Sequence, residues 1–291
     1  MVDWPYWHTS LRKQPHHTTP RNLTLTQISI LSADLTSIHS AETASLLTLS
    51  IVLLLAFPAW EQYRTRSNKP ALIPNKLWKS APFTATCIMV ALSYGVMNSI
   101  ELFSSLFFQE IQGATALTTS LYLMPNLVVG VIINAMVGTF VHRVRVLYLV
   151  IPSAVICSLS PLFMALLDPS WNYFYLAFWA QTFAPFSADV LFTVGLIIVS
   201  ESFPEEEQAL AGAVFNTVSQ FGMSLVLGSC QVVALGVIGT DDKGSAGEDD
   251  PEELLKGYRA SFWTMFGYTL CCVVIAVVGL RKAGKVGLKK D

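Results

Sequence analysis

Charge is what this 291-residue chain has little of: Asp, Glu, Lys and Arg make up 13% of it. A soluble domain carries roughly 25%. With 53% hydrophobic residues and a mean hydropathy of +0.51, that deficit excludes water as the main solvent of the fold and points to lipid. The net charge of −2 excludes the basic surface a nucleic acid requires. Cysteine is scarce too. Cys87, Cys157, Cys230, Cys271 and Cys272 all sit in apolar runs, without metal-ligand spacing or the pattern of a disulfide framework, and read as small packing residues. Residues 1–40 lack the uncharged apolar core of a signal peptide. No Ser/His pair, di-acid or metal-spaced histidines lie in the apolar runs, so neither an enzyme nor a cofactor is expected.

Long apolar runs are what is there. A hydrocarbon core of about 30 Å takes roughly 20 residues of helix, and seven runs qualify: Thr43–Trp60, Phe83–Phe108, Leu117–Phe140, Leu147–Leu167, Trp171–Val199, Ala209–Ile238 and Phe262–Leu280. The fold expected is an all-α membrane protein with seven transmembrane helices. Asp168-Pro169 separates the fourth and fifth runs as a turn. Ser202-Phe-Pro204-Glu205 reads as a capping box with Ser202 at the N-cap. Twelve Lys and Arg fall on one side of the membrane and six on the other. The excess of positive charge belongs in the cytoplasm, which puts the C-terminus inside and the N-terminus outside. Trp60, Trp78, Trp171, Tyr173, Tyr258 and Trp263 stand where interfacial aromatics belong.

Four segments follow. Residues 1–41 form a polar arm with four of the five histidines, expected to be disordered; His16-His17 lacks a third ligand for metal. Asn22-Leu-Thr24 fits a glycosylation acceptor. Residues 42–81 carry an extra helix and a basic cytoplasmic linker, 82–281 a six-helix bundle, and 282–291 a basic tail.

Polar groups inside the runs carry the functional signal, because a charge at mid-bilayer costs at least about 2.5 kcal/mol. Glu101 and Asp189 qualify, and Asp189 lies deep on either orientation. Proton coupling needs a carboxylate able to load and unload near neutral pH, which burial favours; the alternative is a carboxylate bonded to a neighbouring helix. Ala177, Ala180, Ala184 and Ala188 form a small-residue face for close helix contact, beside Gln181 and a kink at Pro185. Gly212, Asn216, Gln220, Ser224 and Gly228 recur every four residues and must face other helices or water; interhelical packing is the plainer of the two. Asn126, Gly130, Asn134 and Gly138 repeat that spacing in the third run. The last run has no strong polar group and is expected at the periphery.

Several segments together resemble the fungal fourteen-span drug:proton antiporter branch of the major facilitator superfamily. They are Ser104-Ser-Leu-Phe-Phe-Gln-Glu-Ile-Gln-Gly113, Asp189-Val-Leu-Phe-Thr193 and Phe203-Pro-Glu-Glu-Glu-Gln-Ala-Leu-Ala-Gly-Ala-Val-Phe-Asn-Thr-Val-Ser-Gln-Phe-Gly222. Gly257-Tyr-Arg-Ala-Ser-Phe-Trp263 and Leu280-Arg-Lys-Ala-Gly-Lys-Val-Gly287 complete the set. About two-thirds of the chain is covered. The resemblance implies that the seven runs are the last seven of fourteen, six of them forming the C-terminal bundle. It also implies that the helices carrying Glu101 and Asp189 line the cavity as proton-coupling candidates. Gln181, Asn216, Gln220, Asn126 and Asn134 become substrate or cavity candidates. Gly138, His142 and Arg143 fall in the resembled gating loop, where His142 replaces the family's usual acid.

The family's N-terminal bundle has no counterpart here, and alternating access needs two bundles. The expectation is a truncated C-terminal half, exporting drugs or small organic molecules against protons. It would pair with a separate N-terminal bundle or a full-length relative. The resemblance implies the plasma membrane as its address, with the vacuolar membrane second. A transport-inactive remnant or modulator is the alternative, and a seven-helix receptor a third, although no acid-Arg-aromatic triplet follows the third run.

Overall fold

The computed structural model describes residues 81–140, 146–238 and 251–279. Every described element is helical: α1 (Ala81–Leu106) continuing into a π turn (Phe107–Ile111), α2 (Ala116–Phe140), α3 (Val146–Leu166), α4 (Ala177–Phe183), α5 (Pro185–Ser202), α6 (Glu205–Ile238) and α7 (Pro251–Gly279). Only helices or closed barrels satisfy the backbone in hydrocarbon, so apolar runs of this length have little other choice. Six helices among the described residues are long and apolar enough to cross a membrane, with α4 and α5 forming one span, Ala177–Val199. The seventh expected helix, Thr43–Trp60, lies outside the described residues, as do the arm, the linker and the tail.

Several boundaries move. Trp171–Leu176 is a string of turns rather than helix, and α7 begins at Pro251, well before Phe262. Ser202 is the last residue of α5. Phe203 is extended (φ −126°, ψ 146°) because a following proline drives its neighbour out of the helical region. The amides of Glu207 and Gln208 then both donate to the Pro204 carbonyl, so α6 starts one step after the proline. The last helix is no bystander: α7 packs on α1, α3 and α6, and Ser261 inside it donates to the Cys230 carbonyl at 2.8 Å. Of the expected interfacial aromatics, Tyr173 and Tyr258 are buried within the bundle, whereas Trp171 and Trp263 stay exposed. Four cysteines are buried, but Cys271 is exposed.

Two apolar layers fill the bundle. One joins Phe83, Met89, Val137, Leu191, Val194 and Phe215; the other joins Ile100, Phe103, Phe108, Met164, Phe262 and Met265 towards the Gly113 end. Between them runs a thin polar seam. The Ser93 hydroxyl meets Ser187 Oγ at 2.8 Å and Cys272 Sγ at 3.4 Å, tying α1 to α5 and α7.

At the same level α1 and α6 cross almost backbone to backbone. A side chain on Gly222 would run into the backbone and Cβ of Ala91, and one on Gly95 would sit 2.9 Å from the Gly222 carbonyl oxygen. Small residues permit this approach, and dispersion contact then holds the helices where hydrophobic transfer offers nothing. Gly222→Val should therefore lower the stability of the bundle by about 1–3 kcal/mol, the usual cost of overpacking. Gly228→Val, which enters open space, should leave it unchanged. Thermal unfolding of the chain in detergent compares the two.

Candidate functional site

Asp189 lies near the middle of the Ala177–Val199 span, placed there by a break in the helix. Pro185 cannot donate to the Gln181 carbonyl, and the helix stops at Phe183 and restarts at Pro185. Ala177, Ala180, Ala184 and Ala188 are all buried, so the whole span is pressed inward through its small face. The Cys157 thiol donates to the Ala184 carbonyl at 3.3 Å, clamping the break against α3.

Asp189 itself is half-buried and packs against α2. A Cβ added to Gly130 would stand 2.8 Å from its Oδ2, so only a glycine leaves room for the carboxylate. Asn134, one turn on, is its side-chain hydrogen-bond partner. The Asn134 amide also donates to the Gly130 carbonyl at 3.0 Å, and its Oδ1 accepts from the Thr193 hydroxyl at 3.2 Å. Tyr94 of α1 lies close enough to feel the carboxylate's charge. Its ring packs on Phe192 at 5.5 Å, and Phe192 on Phe215 of α6 at 5.6 Å. The site thus joins an acid, an amide, a hydroxyl and a phenol from α1, α2 and α5.

Around it the bundle presents a polar face. On α1, Tyr94, Asn98, Glu101 and Ser105 share one side at spacings of four, three and four, and Glu101 is exposed. On α6, Asn216, Gln220 and Ser224 are exposed. At 100° per residue they stand roughly opposite the buried Phe215, Ser219, Gly222 and Val226. Within this bundle the stripe does not pack the helices together; Gly222 does that from the other face. The repeat in α2 splits, because each step of four overshoots a turn by about 40°. Asn126 is buried with Oδ1 unpartnered, while Asn134 and Gly138 emerge. Gln181 stands inside the bundle, fully buried, with neither amide atom partnered. His142 and Arg143 lie outside the described residues.

No Lys or Arg stands on α1, α2, α3, α4 or α5. Among the described residues no group of three or more His, Cys, Asp or Glu could hold a metal ion. A separate groove of about 490 Å³ opens between α2 and α4, lined by Leu121, Pro125, Val128, Phe178 and Thr182. None of the site's polar groups reaches it.

Residues 29–227 match the model of the Major Facilitator Superfamily. The chain belongs to that superfamily. It is 40% identical over 276 residues to "MFS-type transporter 1" of Pyricularia oryzae, which covers 89% of this chain and 45% of that protein. It is 28% identical over 233 residues to "Aminotriazole resistance protein" of Saccharomyces cerevisiae, covering 79% of the chain and 40% of that protein. With "Efflux pump terJ" of Aspergillus terreus it shares 23% over 177 residues, 59% of the chain and 31% of the pump. The chain spans less than half the length of these relatives. As a member of this transporter superfamily it is a multi-pass membrane protein, and the family works by transport rather than by catalysis.

Reading the sequence singled out Asp189, Asn134 and Glu101 but not Tyr94, Asn98 or Thr193. A helical-wheel count along α1 was the available signal for Tyr94 and Asn98. The partnership of Thr193 with Asn134 crosses 59 residues and has no local signature. Replacing Asn134 with Leu should destabilise the bundle by about 1–3 kcal/mol, because it strips donors and acceptors from part-buried partners. Adding Asp189→Leu should cost less than the sum of the two single changes. Denaturation of the four chains in one detergent measures the cycle.

Proposed function

We propose that this chain supplies one six-helix bundle of a proton-coupled exporter of drugs or small organic molecules. The observation that carries this is Asp189. A carboxylate at mid-span, seated in the notch left by Gly130 and bonded to Asn134 rather than to a cation, can accept and release a proton. Glu101 is the second acid, further along α1 on the same polar face. Asn216 and Gln220 contact substrate or the opposing bundle from α6, and Asn134 contacts substrate beside Asp189. Gln181 and Asn126 act from the interior, behind the face. The gating segment takes in Gly138, which stands in the last turn of α2 rather than in a loop, together with His142 and Arg143 after it in the sequence. The names of the aminotriazole resistance protein and the efflux pump support export as the direction.

The polar face of α1 and α6 is the side on which a second bundle would close the cavity, from a separate N-terminal half or a full-length relative. The Gly113 end faces outward, with the C-terminus in the cytoplasm of the plasma membrane or, failing that, the vacuolar membrane. A transport-inactive modulator of a full-length relative, or a remnant of one, is the second reading.

Expression of the chain in a transporter-deficient yeast, with protein level and membrane insertion checked, tests the proposal against a panel of toxic compounds. Raised tolerance that vanishes with Asp189→Asn and falls with Gln220→Leu is the expected result. Tolerance that survives Asp189→Asn would remove the carboxylate from the mechanism, and no tolerance from well-inserted protein would favour the modulator.

A further inference from the structure

At the Gly113 end a third acid stands outside everything assigned so far. Glu110 belongs to the π turn, where Gln112 N bonds Phe107 O at 3.2 Å and Ala114 N bonds Phe108 O at 2.9 Å; Gly113 follows at φ 67°. Such single-turn π insertions recur at functional sites. The extra residue widens the helix and turns Glu110 towards α7, where Oε2 accepts from the hydroxyl of buried Tyr258. Oε1 is buried with no partner. An ionised carboxylate seeks donors on both oxygens, and Oε1 has none here; taking up a proton removes the charge and with it most of the cost of burying that oxygen. The Tyr258 ring beside it packs edge-on to Phe103 at 5.9 Å.

Other charged and titratable groups stand at this end, with Glu252 and Glu253 in the first turn of α7 and the buried Nε of Arg259 without a partner. Arg259 on α7 donates from Nη2 to the Leu167 carbonyl at 3.1 Å, and its charge acts on Asp168. Asp168 is held below the usual carboxylate range, first by the Ser170 hydroxyl and then by the Ser170 amide. Tyr173 donates to the Tyr122 carbonyl at 2.6 Å and stacks on that ring; burial and the neighbouring Tyr122 push its hydroxyl up to about 12. Lys256 of α7 is exposed.

We propose that Glu110 is a further proton-binding site, separate from Asp189 and Glu101, at the joint where α1 meets α7. The proton comes from water at the Gly113 end and binds the carboxylate, while Tyr258 keeps its own. Proton occupancy then sets how firmly the π turn is held to α7. Since Arg259, on the next residue of α7, holds the end of α3, the joint links three helices.

The full 291-residue chain in lipid nanodiscs, titrated with pH under infrared difference spectroscopy, tests this. A protonated-carboxyl C=O band persisting near neutral pH should disappear in Glu110→Gln, remain in Asp189→Asn, and move in Tyr258→Phe with a midpoint change of roughly one pH unit. A band untouched by Glu110→Gln would overturn the proposal. If Glu110→Gln fails to insert, Tyr258→Phe decides: a shifted band supports the site, and an unmoved one overturns it.

Discussion

The crossing of α1 and α6 at Gly95 and Gly222 organises the rest of the bundle. Lipid gives helices no hydrophobic reason to associate, so close contact must come from surfaces that fit. Here they fit because neither glycine has a side chain and Ala91 has only a methyl group. Once that face of α6 is turned inward, Asn216, Gln220 and Ser224 have to emerge on the far side. One packing contact therefore fixes which amides are available to a ligand or to another bundle.

A second constraint acts on the span that carries Asp189. The break at Pro185 would weaken a lone helix, yet the alanine face and the Cys157 thiol hold both halves against the core. The carboxylate is then lodged where α2 has no side chain, at Gly130, and where Asn134 can reach it. The half-buried acid is thereby held in one place against α2. The seam of Ser93, Ser187 and Cys272 beside it adds buried hydrogen bonds at the same depth.

The interior of the Gly113 half is less well satisfied. Gln181 has both amide atoms unpartnered, and Asn126, Ser104, Ser160 and Thr119 each leave a polar atom without a partner. A buried polar group without a bond costs on the order of 1–3 kcal/mol. These groups sit behind the exposed face, in the half that also carries the broken span and the π turn.

The sequence by itself determined the helices, the membrane and the superfamily. Apolar runs of about 20 residues admit one backbone solution in lipid, and the break at Pro185 follows from its missing N–H. Asp189 was equally legible, because a lone acid deep in an apolar run stands out in one dimension. Spacing alone left the partners open. A repeat of four fits a buried or an exposed stripe, and α2 and α6 resolved it differently. Only the tertiary structure placed Gly130 under Asp189, turned Gly222 inward, and brought Glu110 to Tyr258 across 148 positions. Those pairings depend on how whole helices rotate and cross, which close packing of many residues settles together and no local stretch of sequence encodes.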